Sequence, residues 1–338
     1  MVAIRTATLE DGPALVTLIR GAFEEYRGQL DPPSGALTES LEKVASLIEH
    51  EHCHVAEAAD GALVGCVFWT PRSHVAYLHR LAVLPASRRL GVGSALMEVV
   101  EAEAAIAGFE WIALGVRIKL PANRRFYEAR GYRITQFAPH PGYSFPTYLE
   151  MSKRLGPPVA REVVVEDWSP AWAEEYARTA AEVQRILRGD LLEIHHVGST
   201  AVAGLAAKPT IDLLGVVAAI NSVDRHDLHM FMAGWAPLGE HGMPGRRFYR
   251  KGTDAKHTHH LHIFGQGHPG IEEHLALVEY LKAHPQHAQE YGACKLALAA
   301  AHPWQIASYV EGKDAIVRRL RDEALAWRRS HAPQGAVA

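Results

Sequence analysis

The chain has little cysteine. Cys53, Cys66 and Cys294 are the only three in 338 residues, with no CxxC pair and no spacing suited to a zinc site. So few thiols exclude a disulfide-framed scaffold and point to a reducing compartment. Long apolar runs are missing too: none approaches the ~20 residues that a membrane-spanning helix needs. The opening MVAIRTATLEDG carries acidic side chains and lacks the apolar core of a secretion signal. A soluble, cytoplasmic protein without membrane partners is therefore expected. Excess charge of one sign is also absent. With a formal net charge of −3, neither general nucleic-acid binding nor attachment to a membrane surface is expected. Finally, the sequence lacks GxxxxGK[ST] and GxGxxG, which removes the P-loop and the dinucleotide fingerprint.

What is present suits two domains. A length of 338 residues and an apolar fraction of 48% allow each half its own core. Gly156-Pro157-Pro158 marks the boundary, because it follows a last strand at 147–152 and cannot continue one. The organisation expected is a first domain at 1–155, a linker at 156–162, a second domain at 163–329 and a disordered tail at 330–338. Of 21 histidines six precede Gly156, so the halves are expected to do different chemistry.

In the first half, Ala14, Leu15, Leu18, Ile19 and Phe23 recur at helical spacing, and a second helix is expected from Leu37 to Ile48. Asp60-Gly61 signals a hairpin between strands at 54–58 and 62–69. The most informative stretch is Tyr77 to Leu96, YLHRLAVLPASRRLGVGSAL, which reads as strand, turn and helix. Gly91 and Gly93 let backbone N–H groups approach a ligand closely. Those donors lie at a helix N-terminus, which favours an anion such as pyrophosphate, and Arg88 and Arg89 add charged donors.

This Arg-x-x-Gly-x-Gly turn resembles the acyl-CoA pyrophosphate loop of the GNAT N-acetyltransferases, over roughly residues 1–155. The resemblance implies the α/β acyltransferase fold and acetyl-CoA as cofactor. It implies Arg88, Arg89, Gly91, Gly93 and Ser94 at the pyrophosphate, and the backbone of Leu81 and Val83 along the pantetheine arm. One of those two N–H groups would stabilise the oxyanion. A second family-like stretch, PANRRFYEARGY at 121–132, opens on Pro121 and closes on Gly131. It implies Tyr127 as the acid for the departing thiolate and Asn123 as a cofactor contact, although many members place the asparagine where Leu120 stands. The alternative for Tyr127 is a core aromatic with its hydroxyl at the rim. The family's amine attacks the thioester directly, and Glu57 and His79 are the candidate bases, acting directly or through water. The alternative for both is a solvated or hydrogen-bonded strand side chain. The acceptor is a small-molecule amine or a peptide or protein amine.

In the second half a helix is expected over 170–187, and a strand at Leu191 to Val197 leads into Gly198-Ser199-Thr200. HVGSTAVAGLAAKPTIDLLGVV, then HTHHLHIF at 257–264, EYLKAHPQHAQEYGACKLAL at 279–298, and Tyr309 with Lys313 resemble the GrpB family over roughly 163–325. The resemblance implies a nucleotidyltransferase-like α/β domain and a nucleotide as a candidate ligand. In that fold a Gly-Ser turn holds phosphate oxygens and two strand carboxylates hold a divalent metal. Here Gly198, Ser199 and Asp212 are present, and Leu214 stands in the second acid's place. His260 and His262 share a strand face. Two readings stay open: Asp212, His260 and His262 bind a divalent metal, or they form a hydrogen-bonded network around a phosphate or carboxylate with Lys208 and Lys295 as counter-charges. His195 and His196 carry the same choice. The second half is then a ligand-sensing or substrate-docking domain for the acetyltransferase; the alternative is nucleotidyl transfer there, with the first half accessory. The residues name neither the acceptor nor an oligomeric state.

Overall fold

The computed structural model describes residues 2–331. It divides into two compact units, Met1–Pro158 and Val159–Ala338. No helix among the described residues is long and apolar enough to cross a membrane.

The first unit opens with β1 (Ala3–Thr6) and α1 (Gly12–Phe23), which buries Leu15, Leu18, Ile19 and Ala22 on one face. Residues Gly35–Thr38 make a 3-10 turn, so the next helix, α2 (Leu41–His50), begins later than the sequence pattern suggested. Ser40 sets that start: its Oγ accepts from the Lys43 N–H at 3.2 Å, satisfying a donor of the first turn. Then come β2 (His52–Glu57), β3 (Leu63–Arg72), β4 (Val75–Val83), α3 (Val92–Ile106), β5 (Trp111–Arg117), α4 (Pro121–Glu128), β6 (Arg133–Ala138) and β7 (Tyr148–Arg154). They form a seven-stranded sheet in the order β1-β2-β3-β4-β5-β7-β6. Of its pairings only β4 with β5 is parallel.

That parallel pairing is short, and its end positions the site. It runs from Val75↔Trp111 to Leu78↔Leu114 and then stops, although both strands continue. On its other side β4 changes register against β3 between Cys66 and Phe68, the mark of a bulge. Within the bulge Arg80 has φ +50°, a left-handed conformation unusual for arginine. Its guanidinium meets the carboxylate of Glu39, which is 0% exposed. Lys43 Nζ also reaches Glu39 at 2.7 Å, and Arg20 Nε donates to the Glu39 carbonyl at 2.8 Å. A buried, multiply bonded carboxylate thus holds the bend that parts β4 from β5.

The second unit consists of α5 (Ala171–Leu187), β8 (Leu191–Val197), β9 (Ile211–Val217), α6 (Asp227–Met232), β10 (Ala236–Pro237), β11 (Arg246–Gly252), β12 (His257–Gly265), α7 (Pro269–Ala283), α8 (Pro285–Ala301) and α9 (Ile306–His331). Its five strands lie in the order β10-β11-β12-β9-β8, with β9 and β12 parallel. Both faces of β9 are covered, which suits its near-continuous apolar run. Leu213 joins a core with Val183, Leu187, Trp235 and Leu261, whereas Leu214 joins another with Val197, Phe264, Leu281 and Leu320. Ser330 and His331 close α9; the rest of the tail expected from Ser330 lies outside the described residues.

Candidate functional site

The sharp turn after β4 places the first site. Arg89 at φ +62° and Gly91 at φ +85° reverse the chain, and Gly91 caps α3. The helix's first N–H groups therefore face the end of the gap beside β4. Further up that gap, the Leu84 N–H donates to Val64 O of β3 at 3.0 Å. By strand alternation, the N–H groups of Val83 and Leu81 point away from β3, into the gap. The result is a cavity of about 530 Å³ lined by Leu81, Val83, Arg88, Arg89, Gly91, Gly93, Ser94, Asn123 and Tyr127, along with residues that sequence reasoning missed.

Those additions are informative. Arg130 donates to Ser94 Oγ and, at 3.1 Å, to Phe126 O, and it stacks on the Phe126 ring at 3.7 Å. It thereby joins α4 to the first turn of α3. Tyr26 lines the same cavity. The signal available for Arg130 was its place just after the Phe126-Tyr127 pair; Tyr26 lies outside any recognisable motif. Arg88 lines the cavity, but its donors go elsewhere: Nε to Val83 O at 3.0 Å, Nη2 to Ala22 O at 2.8 Å, and Nη1 to Glu25. It braces the turn against α1, leaving Arg89 as the exposed cation of the loop. Tyr127 packs edge-on against Phe126 and Tyr132, and burial pushes its phenol well above the ordinary range.

Neither candidate base reaches this cavity. Glu57 lies at the end of β2, ion-paired with Arg5 at 2.9 Å. His79 donates from Nε2 to Glu51 at 2.5 Å and accepts at Nδ1 from Arg80 at 2.7 Å. Burial lowers its pKa, with the charge of Arg80 adding to the effect. Both side chains serve the sheet edge and the bulge, because the β4 residues that face the cavity are Leu81 to Val83.

In the second unit a cavity of about 160 Å³ brings Ser199, Lys208, Asp212, His260 and Lys295 together with Lys313 and Tyr309. Gly198 lies beneath it at φ +70°, where an added Cβ would sit 2.4 Å from Asp212 Oδ2. His260 Nδ1 donates to Asp212 Oδ1 at 3.0 Å. Burial opposes the Asp212 charge, yet the hydrogen bond from His260 and the nearby positive charge of Lys208 hold its carboxyl below the ordinary range. Burial lowers Lys208 to about 8, helped by Arg161 and Lys313, and lowers Lys295 to about 7, helped by Lys313.

The metal reading is corrected here. His262 sits two pairs further along the ladder, opposite Leu214. Its Nδ1 accepts from Arg246 at 3.3 Å and its ring packs on His274; burial lowers its pKa to about 3. Among the described residues no group of three or more His, Cys, Asp or Glu side chains is placed to hold a metal ion. His196 stacks on Tyr176 and bonds Thr200, and His195 pairs with Glu193, so both are accounted for structurally.

Comparison with known proteins follows the same division. Residues 15–132 match the acetyltransferase (GNAT) family, and residues 162–323 match the GrpB protein family. UPF0157 protein YqkA of Bacillus subtilis strain 168 is 30% identical over 298 residues, covering 85% of this chain and 81% of that protein. The crystal structure of conserved protein GrpB from Enterococcus faecalis covers 49% of this chain and 99% of its own, at 40% identity and a TM-score of 0.48. PaiA N-acetyltransferase from Thermoplasma acidophilum, solved in complex with coenzyme A, covers 46% of this chain and 99% of its own, at 21% identity and a TM-score of 0.40. The chain belongs to the UPF0157 family, with a GNAT acetyltransferase domain ahead of its GrpB domain.

Proposed function

We propose that the first unit is an acetyl-CoA-dependent N-acetyltransferase acting on an amine of a small molecule, peptide or protein. The observation that supports this most is one cavity joining three parts: the free N–H groups of Leu81 and Val83, the glycine turn at the start of α3, and the phenol of Tyr127. The turn suits a pyrophosphate, since its N–H groups and helix dipole favour an anion. The strand N–H groups suit an amide-containing arm and, at one position, the oxyanion that develops as the amine attacks the thioester carbonyl. As the C–N bond forms, the C–S bond breaks and Tyr127 gives its proton to the departing sulfur. Among the described residues no carboxylate or imidazole lines the cavity; the acceptor attacks as the free amine, and the proton its nitrogen sheds on becoming the amide passes through solvent to restore the Tyr127 phenol. Tyr127→Phe is expected to lower kcat by about 10²-fold, the scale of one general acid, and to leave acetyl-CoA affinity within about twofold. Steady-state kinetics beside calorimetry measures both; unchanged kcat makes Tyr127 a packing residue.

For the second unit we infer a nucleotidyltransferase-like domain in a substrate-docking or sensing role. Nucleotidyl transfer, with a nucleotide as ligand, is the weaker reading. Leu214, 0% exposed, stands where a second metal-binding carboxylate is needed. A chain ending at Pro158 is expected to bind acetyl-CoA as the full chain does and to raise the KM for the acceptor. An equal KM in both chains would separate the second unit from acceptor binding.

A further inference from the structure

The small cavity of the second unit holds a charge imbalance that its own residues do not resolve. Lys208 comes from the loop before β9, Lys295 from α8 and Lys313 from α9, and all three line about 160 Å³ of space. Lys295 is 2% exposed and its Nζ has no hydrogen-bond partner, resting 4.3 Å from the centroid of the Tyr291 ring. Lys208 and Lys313 each place Nζ 5.6 Å from the centroid of Tyr309. Among the described residues Asp212 is the one carboxylate lining the cavity, and His260 already donates to it. A buried ammonium without a partner is strongly unfavourable. Lys208 and Lys313 are half-buried beside it, and three amines converging on one space suit an anion.

We propose that this cavity binds the phosphoryl group of a phosphate monoester. Three ammonium donors from separate elements, with the Ser199 hydroxyl beside them, suit the several oxygens and double charge of a tetrahedral dianion. A carboxylate, with two oxygens and one charge, leaves part of that set unanswered. The volume fits a phosphoryl group and not a nucleoside. Through Lys208 and Thr210 it meets a second cavity of about 290 Å³, lined also by Arg161, His257 and Trp304, which has room for the ester's organic part. The proposal does not rest on acetyl transfer in the first unit.

The test titrates inorganic phosphate, sulfate, glycerol 3-phosphate and acetate into the full-length chain by calorimetry, and repeats the series with Lys295→Met. Phosphate and sulfate are expected to bind and acetate to bind at least about tenfold more weakly, because the doubly charged oxyanions satisfy more of the donors. Lys295→Met is expected to cost about tenfold or more in phosphate affinity while raising the melting temperature of the ligand-free chain, since it removes an unpartnered buried charge. That pair of opposite effects separates a binding residue from a structural one. If Lys295→Met does not fold, Lys313→Met gives the same affinity reading. Glycerol 3-phosphate binding more tightly than phosphate assigns the second cavity to the ester body; phosphate binding more tightly makes free phosphate the source of the same group. Acetate matching phosphate, no phosphate binding at all, or unchanged affinity in the lysine variants overturns the proposal.

Discussion

Gly93→Glu is expected to abolish acetyl-CoA binding while leaving the fold as stable as before or more so. Gly93 lies in the first turn of α3 with helical geometry, and a Cβ there would meet the Phe126 ring at 3.4 Å and Val83 at 3.7 Å, ordinary packing distances. Replacing a helical glycine gains about 1 kcal/mol in propensity. A carboxylate in a first turn adds about 0.3–1 kcal/mol through the helix dipole. The same carboxylate occupies the place proposed for the pyrophosphate, with like charge and competing for the same N–H groups. A loss of about 100-fold or more, equivalent to ~2.8 kcal/mol, should appear by calorimetry beside an unchanged or raised melting temperature. Gly91 would not serve for this experiment, because at φ +85° any side chain strains the backbone whatever it does to the ligand. Undiminished affinity in Gly93→Glu would place the pyrophosphate elsewhere.

Glu39→Ala is expected to destabilise the first unit by about 3–5 kcal/mol, the scale of stripping one partner from a buried ion pair. Glu39 is fully buried and holds the Arg80 guanidinium at the bulge. Without it Arg80 keeps its charge inside, and the left-handed conformation at φ +50° loses the contact that maintains it; such strain amounts to about 1–3 kcal/mol. Thermal melting of the variant checks the first effect. A fall in acetyl-CoA affinity, as β4 relaxes toward regular pairing, checks the second. A melting temperature equal to the parent's would mean that the bulge holds without the pair. The pair is also sensitive to acid. Burial opposes the Glu39 charge, but hydrogen bonds from Arg80 and Lys43 hold its carboxyl below the ordinary range. Its folded pKa is thus the lower one, so its contribution is complete above the unfolded value of about 4.3 and is lost as pH falls through the folded value.

Local signals carried much of this architecture. The turn at 88–93 was legible because a reversal into a helix with exposed N–H groups needs glycine and basic side chains in a fixed order. The hairpin at Asp60-Gly61 was legible for the same kind of reason, with Gly61 at φ +84°. The gathering of Ser199, Lys208, Asp212, His260 and Lys295 around one cavity followed a family-like pattern over distant segments. What stayed hidden depends on pairings without period or motif. Glu39 and Arg80 are 41 residues apart, and neither looks unusual in its own segment. Arg88 was read by residue type, whereas its geometry sends its donors to Val83 and Ala22 carbonyls. Glu57 and His79 have suitable chemistry for a base, but the strand alternation that opens Leu81 and Val83 to the cavity leaves their side chains with Arg5 and Glu51. His262 shares a face with His260 yet lies two pairs too far along the ladder to join Asp212.

Leu214 constrains how this chain can change. It is packed among Val197, Phe264, Leu281 and Leu320 on the helix-covered face of β9. A single Leu214→Asp exchange would set an unpaired carboxylate into that core, a change that costs several kcal/mol against a domain stability of about 5–15 kcal/mol. Recovering a two-carboxylate site would require prior loosening of three helices, each step harmful before any metal could compensate for it. The second unit therefore stands behind a ratchet: mutation can refine its cavity, but a route back to two-metal chemistry passes through destabilised intermediates.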